Sequence, residues 1–168
     1  KLVKVRQYFD ASCINDITGR VKDELNCEAI SRLVLPGMSV AITAGSRGVD
    51  NIDIIIKEIV SFIKAKGAFP FIIPAMGSHG GSTAEGQVAI LNKYNITEES
   101  MGCPIKATME VVKIGEMEGD GAPILIDRYA AEADGIVVVN RIKPHTAFRG
   151  KYESGLMKMM TIGLGKQA

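Results

Sequence analysis

Short apolar runs separated by polar loops predict the strands of this chain. The runs at 38–43, 69–73 and 136–139 are typical of strands in a parallel sheet. The last of them is continuously β-branched or apolar, so we expect it to be buried on both faces. Residues 2–9 alternate apolar and polar side chains instead, which predicts a half-buried strand near the start of the chain.

A longer period marks the helices between these strands. Isoleucines recur at helical spacing from Ile52 to Ile63, which predicts a helix with one buried face. A less regular pattern within residues 15–32 allows a second helix. Ser82 and Glu85 have the spacing of a capping box, so a third helix is predicted to begin at about Thr83.

The second half of the chain adds a predicted hairpin. Strands at 109–114 and 123–126 flank the turn Gly119-Asp120-Gly121, and Asp127 is placed to cap a short helix that leads into the strand at 136–139. Strands and helices therefore alternate along the chain, as in α/β proteins. We expect residues 1–168 to form a single α/β domain, Rossmann-like, with a mainly parallel sheet and flanking helices.

Composition narrows the class of protein further. The chain is 46% apolar with a net charge of +1, which favours neither nucleic acid nor an anionic membrane as a partner. The three cysteines are scattered and odd in number, so neither a disulfide framework nor a zinc site is predicted. A reducing, cytoplasmic location is the expectation. The chain begins at Lys1 without a methionine and ends at Ala168 without a charged tail, which suggests a piece of a longer protein.

Three loops that follow predicted strands hold the residues with chemical potential. They contain Arg47 in GSRG, His79 in MGSHGG and His145 in NRIKPH, and these are the only two histidines in the sequence. In an open α/β sheet such loops meet at the carboxyl edge, where ligands bind. Helix N-termini and an arginine at that edge suit a carboxylate or phosphate. An anionic small molecule is the expected guest.

Each of these features has a plainer interpretation. Arg47 in a glycine-flanked turn is commonly solvated, and the glycines around His79 can serve only a tight turn with the imidazole bonded to backbone. The loop after Met76 lacks the Gly-Lys-Ser/Thr of a P-loop and the Gly-x-Gly-x-x-Gly of a dinucleotide site. No Gly-x-Ser-x-Gly elbow is present either. NTPase, nicotinamide dehydrogenase and ordinary hydrolase activities are therefore unsupported.

The same loops resemble the nickel-dependent lactate racemase family, over most of the chain. The matching motifs are Ser46-Arg47, Gly77-Ser78-His79, and Pro144-His145 followed by Ser154-Gly155-Leu156-Met157-Lys158. The resemblance implies the N-terminal domain of a two-domain protein, with the C-terminal domain missing from this chain. It implies an isomerase that racemises or epimerises a 2-hydroxy acid by hydride transfer.

The resemblance also implies roles for individual residues. His79 and His145 would be opposed acid/base catalysts, Arg47 would bind substrate, and Lys158 would carry a nickel pincer nucleotide (pyridinium-3,5-bisthiocarboxylic acid mononucleotide nickel) through a thioamide. Gly77, Ser78, Ser154 and Gly155 would line the cofactor site. The enzymes that synthesise this cofactor are then expected partners. The family's nickel-binding histidine lies beyond this chain, so no metal ligand is assigned within it.

Departures from the family pattern leave alternatives open. The spacing from His145 to Lys158 is longer than in the lactate enzymes, which makes Lys151 a rival anchor, and Ala44 replaces an aspartate. A substrate other than lactate is expected. A non-catalytic module that binds an anionic metabolite, or a lyase on the same scaffold, also fits the residues. A homo-oligomer is compatible with the sequence as well.

Overall fold

The computed structural model describes residues 2–10, 12–46, 48–145, 147 and 149–166. Helices and strands alternate through most of this range. The strands are β1 (Ser39–Ala44), β2 (Phe69–Pro74), β3 (Val111–Glu116), β4 (Pro123–Asp127) and β5 (Gly135–Val137). The helices are α1 (Ile17–Asn26), α2 (Glu28–Ser31), α3 (Ile52–Ala65), α4 (Ala84–Lys93), α5 (Glu98–Met101), α6 (Arg128–Ala131) and α7 (Leu156–Lys158). A 3₁₀ turn covers Gly80–Ser82, and a π-helical turn, Met159–Gly163, continues α7.

The principal sheet is parallel and has the order β2-β1-β5. The side chain of Thr43 extends the pairing of β1 with β5, since its hydroxyl accepts a hydrogen bond of 2.9 Å from the Val139 N–H. Strands β3 and β4 form the predicted antiparallel hairpin, with a register shift between Lys113 and Gly115. The hairpin is a separate two-stranded sheet and does not extend the parallel one. The predicted α/β class with a parallel sheet and flanking helices is confirmed.

Both faces of the parallel sheet are buried, and strand alternation explains how. Val40 and Ile42 of β1 pack on one face against α3 and Leu91 of α4. Ala41 between them faces the opposite cluster, which includes Met159 of the π-helical turn. The helices therefore cover one face, and the segment that follows α7 helps to cover the other. This arrangement brings the end of the described chain close to the carboxyl edge of the sheet.

Two predictions about strands were wrong. Residues 2–9 form no strand, and the side chains of Leu2 and Val5 are exposed. The predicted burial at 136–139 also fails in part, because β5 ends at Val137 and Ile136 is 38% exposed. Strand β5 is an edge strand of the described sheet, so one of its sides lacks the cover that a central strand receives.

The start of α4 differs from the predicted capping box. The N-cap is Thr83, whose hydroxyl accepts a hydrogen bond from the Gly86 N–H at 3.0 Å. Ser82 instead closes the preceding 3₁₀ turn with a positive φ. The helix prediction itself is confirmed, as is the cap by Asp127, whose Oδ1 accepts from the Ala130 N–H at 3.1 Å. No helix among the described residues is both long enough and apolar enough to cross a bilayer.

Candidate active site

A cavity of about 470 Å³ opens at the carboxyl edge of the parallel sheet. Its walls come from the loops after β1, β2 and β5 and from the segment that contains α7. Seven of the sequence-predicted site residues line it: Gly77, Ser78, His79, His145, Ser154, Gly155 and Lys158. Arg47, the predicted substrate clamp, lies outside the described residues. The described candidates therefore meet at the edge where the topological rule expects the loops to lie.

The loop after β2 presents His79 to the cavity. The His79 ring is exposed, and its Nδ1 lies 2.6 Å from the hydroxyl oxygen of Ser46 in the loop after β1. The Ser46 carbonyl in turn accepts a hydrogen bond of 2.7 Å from the Tyr94 hydroxyl. A hydroxyl can donate or accept, so His79 can carry its proton on either ring nitrogen while it keeps this contact.

Gly77 lets this loop approach the segment after α7 closely. Its φ of +62° favours glycine, and a Cβ there would lie 3.2 Å from the Ile162 carbonyl oxygen. The Gly77 N–H donates to the Gly163 carbonyl at 3.2 Å. A side chain at position 77 would therefore separate the His79 loop from the chain that follows Lys158.

The loop after β5 fixes His145 through its backbone and one ring nitrogen. The His145 N–H donates to Glu153 Oε2 at 2.8 Å, and the His145 carbonyl accepts from Arg149 Nη1 at 2.6 Å. The His145 Nδ1 accepts a hydrogen bond of 3.0 Å from the Ala147 N–H. A backbone N–H can only donate, so a neutral His145 ring in this arrangement carries its proton on Nε2.

Lys158 follows a tightly packed glycine. Gly155 has a φ of +70°, and a Cβ there would meet the Arg141 carbonyl oxygen at 3.1 Å. The Gly155 carbonyl accepts a hydrogen bond of 2.8 Å from the Asn140 amide. The next residues form α7, which ends at Lys158. This packing ties the start of residues 155–163, the lysine segment, to the loop that leads to His145.

The rival lysine occupies a different position. Lys151 is exposed and does not line the cavity, and its ammonium lies 5.4 Å from the centre of the Tyr152 ring. Lys158 lines the cavity together with both histidines. Of the two lysines, the geometry favours Lys158 for any bond to a molecule inside the cavity.

The charge of the cavity is positive. Arg141, Lys143 and Lys158 line it, and no aspartate or glutamate does so among the described residues. This lining attracts a carboxylate or a phosphate. Over the described chain no group of three or more histidine, cysteine, aspartate or glutamate side chains is arranged to hold a metal ion. The described part of the cavity offers two amines, a guanidinium and two imidazoles, and these do not form a preformed metal cage.

Sequence reasoning missed the partners of the two histidines. The Ser46 hydroxyl, the Tyr94 hydroxyl and the Glu153 carboxylate hold the loops through contacts between segments or across a turn. Ser46 and Tyr94 belong to elements far apart in sequence, so no local spacing reveals their contact. Glu153 lies close to His145 in sequence and was the one partner that an inspection of the loop for hydrogen-bond acceptors could have found.

The fold and this cavity define an α/β domain that carries two histidines and two lysines at one sheet edge. Residues 10–168 match the lactate racemase N-terminal domain, and the chain belongs to that family. The resemblance drawn from the loop motifs is thereby confirmed. No curated protein matches the chain.

Proposed function

We propose that this chain is the catalytic N-terminal part of an isomerase that racemises or epimerises a 2-hydroxy acid. The observation that carries the proposal is the meeting of both histidines of the sequence with Lys158 in one cavity. Membership of the lactate racemase N-terminal domain family supports the same reaction class. A substrate other than lactate remains our expectation, because Ala44 stands where the lactate enzymes have an aspartate.

Inversion at a carbon that bears a hydroxyl group needs proton transfer on both sides of the substrate. One base removes the hydroxyl proton as hydride leaves the carbon, and a second group handles the proton when hydride returns to the other face. His79 and His145, on loops from different strands, are suited to these two roles. Each would serve as base for one enantiomer and as acid for the other.

The hydrogen bonds of the two imidazole rings favour different positions of the proton on each ring. His79 can leave Nε2 unprotonated while Nδ1–H donates to Ser46, so it is ready to act as a base. His145, whose Nδ1 accepts from Ala147, offers a donor at Nε2 instead. To accept a proton at Nε2, His145 must give up the Ala147 contact and move its own proton to Nδ1. To act as the acid, His145 must also carry a second proton, at Nδ1, so either role requires its ring to give up the Ala147 contact.

A carboxylate substrate suits the cavity charge. Arg141 and Lys143 lie on the loop that leads to His145, and both line the cavity. A guanidinium binds a carboxylate through paired hydrogen bonds and would fix the substrate's orientation between the two rings. Arg47 is proposed as a second clamp on sequence grounds.

The residues present fit a nickel pincer nucleotide attached to Lys158. A primary amine stands at the wall of a cavity of about 470 Å³, which is within the usual size range of small-molecule sites. Small residues line the same cavity: Gly77, Ser78, Ser154 and Gly155. When bound, the cofactor would supply the site that accepts and returns hydride. The nickel ligand is proposed to lie outside this chain.

The test uses the full-length protein produced together with the cofactor-synthesis enzymes. A panel of enantiomerically pure 2-hydroxy acids is incubated with the wild type, His79→Ala and His145→Ala, and chiral chromatography follows the opposite enantiomer. Each variant should lose interconversion by roughly 10²- to 10⁴-fold, the usual contribution of a positioned acid/base. A folded variant with near-normal interconversion would refute the two-base assignment.

A second candidate is a non-catalytic module that binds an anionic metabolite, and the positive cavity favours it. Under this hypothesis Arg47→Ala weakens binding of the anion, while either histidine variant leaves it unchanged. Calorimetric titration of the same panel separates the two functions, because a catalytic site also yields product. A lyase on this scaffold would give products of changed composition rather than inverted configuration, and mass spectrometry distinguishes that outcome.

A further inference from the structure

A buried ammonium group lies beside the loop that carries His79. The side chains of Lys166 and Asp127 are both 0% exposed, and Lys166 Nζ lies 2.8 Å from Asp127 Oδ2. The contact is an ion pair without the alignment of a hydrogen bond. A buried ion pair is seldom more stabilising than apolar residues of the same size. Its presence next to a candidate catalytic loop therefore suggests a role beyond stability.

The other contacts of Lys166 connect it to the His79 loop. Its ammonium donates to the Pro74 carbonyl at 2.6 Å and to Gln87 Oε1 at 3.3 Å. The buried Gln87 Nε2 then donates to the Gly77 carbonyl at 2.8 Å and the His79 carbonyl at 3.2 Å. The Gln87 amide therefore links the Lys166 ammonium to the carbonyls of Gly77 and His79, one on each side of Ser78. This chain of hydrogen bonds from Lys166 through Gln87 to the His79 loop is the relay.

The chemistry of lysine fixes the direction of this relay. An ammonium group has donors and no acceptor, so the oxygen of Gln87 must face Lys166. The amide nitrogen must then face the two carbonyls. A flipped amide would set nitrogen against the ammonium and oxygen against two carbonyl oxygens, which are both repulsive contacts. The charge on Lys166 therefore specifies which way Gln87 holds the His79 loop.

The network also joins the His79 loop to the segment that follows the candidate anchor lysine. Lys166 lies just beyond the π-helical turn that continues from Lys158. The Gly77 N–H donates to the Gly163 carbonyl within that turn. Asp127, at the junction of β4 and α6, supplies the counter-charge from a third element.

We propose that Lys166, neutralised by Asp127 and acting through Gln87, is a positioning residue that sets the distance between the His79 imidazole and Lys158. The inference rests on the function proposed above, because that function gives His79 and Lys158 their roles. Neither Lys166 nor Gln87 touches the substrate under this proposal. Both act through the backbone of the His79 loop.

Two variants remove the relay in different ways. Gln87→Met keeps the volume of the side chain and loses both amide contacts. Lys166→Met combined with Asp127→Asn removes the ammonium without leaving a buried charge unpaired, and it retains an oxygen to cap α6. Asn92→Ala, which removes an exposed amide from the same helix, is the matched control. Thermal melts of all three establish that they are folded.

The first readout is independent of catalysis. In the ¹⁵N-labelled full-length protein, the imidazole signals of His79 and His145 are assigned from the His79→Ala and His145→Ala variants, and His145 serves as an internal reference. Gln87→Met and the double variant should both move the Nδ1 and Nε2 signals of His79, because the ring shifts relative to the Ser46 hydroxyl. The signals of His145 and those of Asn92→Ala should stay in place. Folded variants in which His79 does not move, or in which both histidines move equally, would overturn the proposal.

The second readout is the kinetics of the cofactor-loaded full-length protein. A misplaced base should lower kcat by roughly 10- to 100-fold. KM should change by less than about two-fold, because substrate contacts are untouched. An unchanged kcat in both folded variants would contradict the positioning role.

A further outcome separates the two proposals. A wild type that interconverts no 2-hydroxy acid, while the His79 signals still move in the variants, would refute the proposed function and leave the positioning of the loop supported. If the double variant unfolds, the His79 signals and the kcat of Gln87→Met alone test the positioning role.

Discussion

Gly163→Ala is a direct probe of the contact between the lysine segment and the His79 loop. A Cβ at position 163 would lie 2.7 Å from the Ala75 carbonyl oxygen and 2.9 Å from the Met159 sulfur. The first neighbour is backbone at the end of a buried strand, so it cannot rotate away as a flexible side chain can. The residue lies in the π-helical turn and has no positive φ, so the expected effect is steric rather than conformational.

Two opposing effects set the change in the free energy of unfolding that Gly163→Ala is expected to cause. Overpacking of this kind costs about 1–3 kcal/mol. Replacing glycine by alanine stiffens the unfolded chain and returns about 0.4–1 kcal/mol. With the middle value of each range, about 2 kcal/mol against about 0.7 kcal/mol, the net loss is about 1.3 kcal/mol, which corresponds to a Tm lower by about 3–5 °C for a chain of this size. The same displacement should separate the π-helical turn from the loop that presents His79.

The assay is urea and thermal denaturation of the wild type, Gly163→Ala and a control, Gly135→Ala. At Gly135 the added Cβ would meet only Met38 Cε, at an ordinary contact distance of 3.5 Å. The control should be neutral or slightly more stable than the wild type. Equal stability of the two variants would refute the reasoning, because it would mean that the described packing around the turn is absent.

Further predictions concern the caps and the ionisable groups. Thr83→Ala should cost about 1 kcal/mol of unfolding free energy in urea, because the Gly86 N–H loses its acceptor; an unchanged midpoint would contradict the assigned cap. Burial raises the pKa of the Cys103 thiol, so at pH 8 iodoacetamide should label the two exposed cysteines and reach Cys103 only after unfolding, as peptide mapping can show. Hydrogen bonds from the Ser39 N–H and hydroxyl lower the pKa of Asp134. The stability that this carboxylate contributes is present above its unfolded pKa of about 3.9 and disappears as the pH falls through the lower folded value. Ser39→Ala should therefore lose less stability than the wild type between pH 5 and pH 3, and parallel pH profiles would contradict the assignment.

The location of the candidate site at the carboxyl edge of the sheet could be predicted from the sequence, because each of its loops follows a recognisable strand. Apolar runs at β1 and β2 end in glycine-rich segments, and the parallel topology leaves one place where such segments meet. The sequence alone therefore predicts that His79 and His145 lie at one edge of the sheet. The hairpin of β3 and β4 was likewise predicted from its local turn, which needs no information from the rest of the chain.

The missing strand pairing and the missed buried ion pair depended on partners distant in sequence, whereas the misplaced helix cap depended on a local turn. Alternation at 2–9 describes a strand only if another strand pairs with it, and none of the described strands does so. The buried pair of Lys166 and Asp127 carries no local signal either, because a lysine near a glycine-rich turn is ordinarily solvated. The sequence favours Ser82 over Thr83 as the cap, because the preceding 3₁₀ turn, which displaces the helix start by one residue, has no clear sequence pattern.

We propose that Lys158 would carry a hydride-accepting cofactor in the cavity that it lines together with His79 and His145. The most direct test of this proposal is intact-mass analysis with peptide mapping of the full-length protein, produced together with the cofactor-synthesis enzymes. The proposal predicts a nickel-containing adduct on the peptide that includes Lys158, and its loss in Lys158→Ala. An adduct on Lys151 would keep the reaction class and overturn the assigned anchor. No adduct on either lysine, in cells that load a known lactate racemase, would contradict the account and favour the anion-binding module.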